Sequence, residues 1–216
     1  MAAERIAVPQ PDSEERSDVR PVSERAYDIV LVAASAGGLA AISAILAALP
    51  ATFPVPVVVV QHLDPRHVSL MSDILRRRTS LSVEEATSGA RVEAATVYIA
   101  PPDEHLLVTQ DGRLRLSHTD PVHFVRPSAD LLFESGAESF PGRAIGVVLT
   151  GTGSDANMGV RALERTGGTV IAQDPESADF AGMPQAAIAT GGVDYVLSLE
   201  EIGPALVELV ERGSLS

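Results

Sequence analysis

Residues 27 to 33 and 55 to 61 are almost continuously apolar and rich in valine and isoleucine, while Leu39, Ile42, Leu46 and Leu49 recur between them at three- and four-residue intervals. Unbroken β-branched blocks suit strands buried on both faces, and the intervening spacing is that of one helix face. The two together predict a βαβ unit. Pro50, Pro54 and Pro56 punctuate the return to the second strand, and Asp64-Pro65 starts a turn before a helix expected over Val68 to Arg78. The middle of the chain changes character: short β-like pieces at Leu81 to Ala86 and Thr96 to Ala100, with a hairpin signal at Gln110-Asp111-Gly112, read as an antiparallel insertion. Parallel α/β patterning then resumes. Helices are expected over Ser128 to Phe140, Ala156 to Thr166, Pro184 to Thr190 and Leu199 to Arg212, with strands at Ala144 to Thr150, Thr169 to Gln173 and Tyr195 to Leu197. Alternating strands and helices predict a three-layer, doubly wound, mostly parallel sheet with helices on both faces.

Composition narrows what such a domain can do. The chain has 216 residues and a net charge of −13, which disfavours nucleic acid as a partner because such binding needs clustered cations. All 16 basic residues are arginine, so Schiff-base and P-loop lysine chemistry are excluded, and the absence of cysteine removes thiolate nucleophiles and sulfur-ligated metals. Residues 1 to 26, charged and proline-containing, read as a disordered tail; 27 to 216 form the globular domain. Ile29 to Leu49 carries no charge and is long enough to span a bilayer, but Gly37-Gly38 and the change from strand to helix periodicity point to a buried βα unit, not a membrane-embedded segment. A cytoplasmic location is the expectation.

Three turns follow apolar strands and present Ser35, His62 and Asp155. In an open parallel sheet such turns share one edge, where ligands bind. A serine hydroxyl needs a base to take its proton and a carboxylate to orient that base, and these three residues supply the types. A helix start beside Ser35 also offers free backbone N–H groups for an oxyanion. Each residue has a plainer reading: Ser35 as a helix N-cap, His62 as a hydrogen-bonded turn residue, Asp155 as the cap of the helix after it. Two rival motifs compete. Gly151-x-Gly153-x-x-Ala156, with Asp174 after the next strand, matches a dinucleotide-binding pattern, although it falls late in the chain. His62, Asp64 and His67 could ligate a divalent metal, whereas His105, His118 and His123 show no ligand-like spacing with them.

Longer stretches are more specific. Ala34-Ser35-Ala36-Gly37-Gly38, Val59-Val60-Gln61-His62, Tyr98-Ile99-Ala100-Pro101-Pro102, Arg126-Pro127-Ser128 with Asp130, Leu149-Thr150-Gly151-x-Gly153-x-Asp155, Ala172-Gln173-Asp174-Pro175 and Gly182-Met183-Pro184 occur in one order. In this the chain resembles the catalytic domain of the bacterial chemotaxis protein-glutamate methylesterases, CheB-type, over about residues 27 to 211. The resemblance implies a cofactor-free Ser, His, Asp triad at Ser35, His62 and Asp155. It implies hydrolysis of glutamate γ-methyl esters, and in some members glutamine deamidation, on the cytoplasmic helices of methyl-accepting chemotaxis receptors. It places the Thr152 backbone N–H in an oxyanion hole, and Ala36, Gln61 and Arg126 about the pocket. Ala33 and Ala36 stand where the family usually has glycine and threonine. Family members usually carry an N-terminal receiver domain, which residues 1 to 26 are too short to form. Control by a separate regulatory protein, use in another receptor pathway, or no control of that kind is therefore expected. A non-catalytic receptor-binding module and a nucleotide-binding oxidoreductase are the alternatives.

Overall fold

The computed structural model describes residues 26–62 and 70–215. Among the described residues β1 (Ile29–Ala34), β2 (Val57–Gln61), β3 (Ser82–Glu85), β4 (Thr96–Ile99), β7 (Ala144–Val148), β8 (Thr169–Gln173) and β9 (Tyr195–Leu197) form one seven-stranded sheet in the order β3-β4-β2-β1-β7-β8-β9, with neighbouring strands parallel. A separate antiparallel pair, β5 (His105–Val108) and β6 (Leu114–Ser117), closes through Thr109 and Gly112.

Alternation along the central strands divides the core in two. Val30, Val32 and Ala34 of β1 face one apolar layer with α1 (Gly38–Ala48), α2 (Met71–Arg76) and α6 (Leu199–Arg212). Ile29, Leu31 and Ala33 face the other, with α3 (Ala129–Ser139), α4 (Asn157–Thr166), α5 (Gly182–Ala189) and the β5-β6 hairpin. A strand buried on both sides has no polar face to display, which is why the sequence blocks lack alternation. Close crossings use glycine. A Cβ on Gly136 would strike Leu31, and one on Gly159 would strike Phe133 and approach the Asp130 carbonyl to 3.2 Å.

The antiparallel insertion is narrower than the sequence suggests. β3 and β4 belong to the parallel sheet, with Val83 opposite Val97 and Glu84 opposite Tyr98; among the described residues the antiparallel ladder is β5 with β6, accompanied by isolated antiparallel bridges at Arg91–Arg113 and Val122–Val125. The connection between β3 and β4 is non-helical, and a parallel crossover without a helix carries no helical periodicity to reveal it. The expected helix over 68–78 is seen as Met71–Arg76, its start lying outside the described residues, as does the tail up to residue 25. The other elements fall within a few residues of expectation. Among the described residues no helix is long and apolar enough to cross a membrane.

Successive strands are added on one side of β1 through β2 and on the other through β7. The connections on the two sides leave over opposite faces, so a crevice opens at the carboxyl ends of β1 and β7, the topological switch point where ligands of such sheets bind.

Candidate active site

The parallel register brings Ser35 and His62 together. Ala34 of β1 lies opposite Gln61 of β2, so Ser35 and His62 are the next residues on two strands about 4.8 Å apart. The Ser35 N–H donates to the Thr150 carbonyl (3.0 Å) and the His62 N–H to the Ala34 carbonyl (3.2 Å), which fixes both turns to the sheet edge. After Ser35 the chain must turn at once into α1. Gly37 makes that turn with φ of 76°, and an L side chain there would be strained as well as crowded by Asp179 and Thr150. Helix α1 has Gly37 as its N-cap and no side-chain cap, so the Ser35 hydroxyl is not spent as one. Opposite it, a Cβ on Gly151 would lie 2.8 Å from the Ser35 Cβ and collide with Met183, so this loop can close over the serine only with glycine.

Asp155 departs from the capping role its position suggests. Helix α4 is preceded by Ala156, at φ 100°, with no side-chain cap. The Asp155 carboxylate reaches instead to the start of α3. Oδ1 accepts from the Ser128 hydroxyl (3.0 Å) and the Asp130 N–H (3.1 Å), and Oδ2 accepts from the Ala129 N–H (2.6 Å) and His62 Nε2 (2.8 Å). Burial alone would raise the carboxyl pKa; the His62 ring, the Ala129 N–H and the Asp130 N–H outweigh it and hold the group below its ordinary value. The positive end of the α3 dipole acts in the same sense.

An ionised carboxylate can only accept, so His62 Nε2 carries a proton in this pair, and in the neutral ring Nδ1 then keeps its lone pair. That is the protonation needed to accept a proton from a hydroxyl on the neighbouring turn. Its side chain is 13% exposed and that of Asp155 4%, so the pair is shielded while the ring still meets solvent.

The other candidate residues separate. Gln61 is buried beneath the serine turn and donates from Nε2 to the Ser35 carbonyl (3.2 Å). Among the described residues neither the Ala36 nor the Thr152 backbone N–H has a hydrogen-bond partner, so both remain available as donors. The Arg126 guanidinium is engaged by Asp103 (2.7 and 3.0 Å) and the Thr119 carbonyl (2.7 Å). A cavity of about 380 Å³ opens beside the turn, lined by Gly37, Leu39, Gln61, Ile74 and Arg78 among others.

The rival motifs find no support in their surroundings. In the glycine loop, Gly151 donates to the Phe180 carbonyl and accepts from the Met183 N–H, and Gly182 packs against Thr152, so Gly151 serves loop-to-loop packing, while Gly153 supplies a turn at φ 89°. The Asp174 carboxylate accepts from the Glu176 N–H (3.0 Å) in a local turn. Asp64 and His67 lie outside the described residues, and among those described no group of three or more His, Asp or Glu is placed to hold a metal.

Residues that the sequence presented without a role complete the site. Ser128 caps α3 and binds Asp155; Thr150 joins the serine turn through its hydroxyl to the Ala36 carbonyl (3.0 Å), and Gln173 receives the Thr150 N–H (2.9 Å). The signal for Ser128 was a serine at the entrance to a helix; nothing local says that the helix start serves a carboxylate 27 residues away.

A parallel sheet whose switch point carries a buried acid–imidazole pair beside a serine freed from capping defines an α/β hydrolase domain in the broad sense, with a chain order unlike that of the G-x-S-x-G enzymes. The chain belongs to the CheB methylesterase family, whose profile matches residues 30–206. It is 39% identical over 183 residues to a Leptospira interrogans protein provisionally named protein-glutamate methylesterase/protein-glutamine glutaminase, covering 85% of this chain and 95% of that one. It is 40% identical to the protein-glutamate methylesterase FrzG of Myxococcus xanthus, covering 86% of this chain and 55% of that longer one. The crystal structure of the Thermotoga maritima CheB methylesterase catalytic domain superposes with a TM-score of 0.82 at 38% identity, covering 85% of this chain and 99% of that domain.

Proposed function

We propose that the protein hydrolyses glutamate γ-methyl esters on the cytoplasmic helices of chemotaxis receptors, with Ser35 as nucleophile, His62 as general base and acid, and Asp155 as the group that orients and stabilises the imidazolium. The observation that carries this reading is the 2.8 Å contact between His62 Nε2 and Asp155 Oδ2, one strand away from an uncapped serine. The names of the relatives supply the substrate class.

In the first step Ser35 Oγ attacks the γ-carbonyl carbon while its proton passes to His62 Nδ1. The C=O electron pair becomes an oxyanion facing the Ala36 and Thr152 N–H groups; each such donor is worth about 3 kcal/mol to the transition state. As the C–OCH3 bond breaks, the imidazolium returns the proton and methanol leaves. Water, deprotonated by the same ring, then cleaves the acyl-serine to a carboxylate and restores the hydroxyl. A γ-carboxamide follows the same path with ammonia as leaving group, which supports glutamine deamidation as a second reaction of the site. Ala36 in place of the family's threonine leaves its backbone donor in place. Control through a separate regulatory protein and a cytoplasmic location belong to the same proposal.

The test is methanol release from methylated receptor by wild type and by Ser35→Ala. Wild-type turnover with loss of all but background in the variant is expected; equal rates would remove Ser35 from the chemistry, and stoichiometric receptor binding without turnover would make the protein a binding module.

A further inference from the structure

His105 sits on β5, in the antiparallel hairpin and outside the parallel sheet, and is fully buried. Both of its ring nitrogens are committed. Nδ1 lies 3.1 Å from the Ser128 backbone nitrogen, and Nε2 lies 3.1 Å from the Asp120 carbonyl oxygen. A backbone N–H can only donate and a carbonyl can only accept, so the ring is the neutral tautomer with its proton on Nε2. No lone pair or proton remains for catalysis or for a metal.

What the ring holds is the residue from which the support of Asp155 radiates. Ser128 is the N-cap of α3 and is itself fully buried, so water cannot satisfy its N–H. Its hydroxyl binds Asp155 Oδ1, and the next two N–H groups, of Ala129 and Asp130, bind the same carboxylate. The hairpin also grips α3 further along: the Ser135 hydroxyl accepts from the Val108 N–H (3.1 Å), and the Ser139 hydroxyl donates to the Val108 carbonyl (3.0 Å). A shift of α3 along β5 would therefore break several bonds at once, and His105 is the member of that set adjoining the site.

We infer that His105 is a positioning residue for the reaction. By accepting the Ser128 N–H it sets the height and rotation of the α3 N-terminus, hence the place of Asp155, hence the orientation of His62. The β5-β6 hairpin thereby becomes part of the catalytic apparatus although it contributes no reacting group. This inference rests on the proposed role of Asp155 and goes beyond it, because nothing in the sequence spacing links residue 105 to the triad.

His105→Leu keeps the bulk and removes the acceptor; His105→Asn retains an oxygen at the position of Nδ1. Misplacing a catalytic group by about 1 Å costs on the order of 10²-fold in rate. For His105→Leu the expected result is therefore a fall of about 10²-fold in kcat on both methylated receptor and a small glutamate γ-methyl ester, with KM little changed. For His105→Asn it is recovery to within a few-fold. Circular dichroism and thermal melts confirm folding, and the low-field proton resonance of His62 Nε2–H should move in the leucine variant and return in the asparagine one. The decisive measurement combines His105→Leu with Asp155→Asn. A residue acting through Asp155 adds no further loss once that carboxylate is gone. Full activity of His105→Leu, an effect on KM alone, or the same fractional loss in the Asp155→Asn background overturns the positioning role. If Asp155→Asn is itself silent, the triad reading falls and this inference with it; an additive loss on top of a damaging Asp155→Asn overturns the inference alone.

Discussion

Two aspartates meet where the N-termini of α3 and α4 cross, and they behave oppositely. Asp155, just before α4, accepts N–H groups from α3; Asp130, in the first turn of α3, accepts the Gly159 N–H of α4 (2.9 Å), so each helix start is served by a carboxylate from the other. Both are almost fully buried. Asp155 receives four hydrogen bonds spread over both oxygens and is held below the ordinary carboxylate range. For Asp130, burial is the largest influence and the negative charge of Asp155 adds to it, so its pKa is raised despite the Gly159 N–H; among the described residues its Oδ2 has no hydrogen-bond partner, and His123 Nε2 stands 3.7 Å from it. Burial does not decide the charge of a carboxyl group. The number of donors aimed at it does, and here the donors have been concentrated on the residue that faces the imidazole.

The contrast can be broken most severely at Asp155. Asp155→Asn should lower turnover by about 10⁴-fold with the fold retained, because the amide can no longer hold His62 in the required tautomer; methanol release together with circular dichroism checks both halves. Gly159→Ala attacks the crossing itself, since its methyl would collide with Phe133, and about 1–3 kcal/mol of destabilisation is expected in urea unfolding. Ser128→Ala removes one donor to Asp155 and the cap of α3, which should cost about 1 kcal/mol of stability and raise the Asp155 pKa; unchanged acid sensitivity would argue against the hydroxyl as a support.

The smallest effect is the most diagnostic of sign. A lowered carboxyl pKa contributes stability that is present above the ordinary aspartate value and lost as pH falls through the folded value, so Asp155 makes the protein acid-labile. A raised one works in reverse: the Asp130 contribution is present below the ordinary value and lost as pH rises through the folded value. Urea midpoints measured from acid to neutral pH should therefore show wild type losing ground to Asp130→Asn as pH increases, and gaining on Asp155→Asn over the acid end. Parallel curves for Asp130→Asn and wild type would show that Asp130 is ionised in the fold without penalty.

The same contrast marks how far the chain could be read. Ser35 and His62 were legible because each follows an unbroken apolar strand, and two parallel strands in register leave their next residues side by side. Asp155 is legible as a residue type at a third strand end, and the plainer reading of it as the cap of α4 does not hold, because its carboxylate serves α3. Asp130 stands in a recognised stretch without a role, and His105 has no ligand-like spacing to single it out. The parallel placement of β3 and β4 is not legible in the sequence because their connection carries no helix.

From the order of its residues alone the chain settled what depends on near neighbours: which stretches bury both faces, where each strand breaks into a turn, and which turn carries hydroxyl, imidazole or acid. Those properties follow from periodicity and backbone stereochemistry within a few residues. Tertiary structure decided which oxygen meets which donor, because the support of Asp155 comes from a helix start 25 to 27 residues earlier, held in turn by a histidine 23 residues earlier still. Hydrogen bonds require placement to a few tenths of an ångström, and only the packing of α3 between the sheet, α4 and the hairpin supplies it.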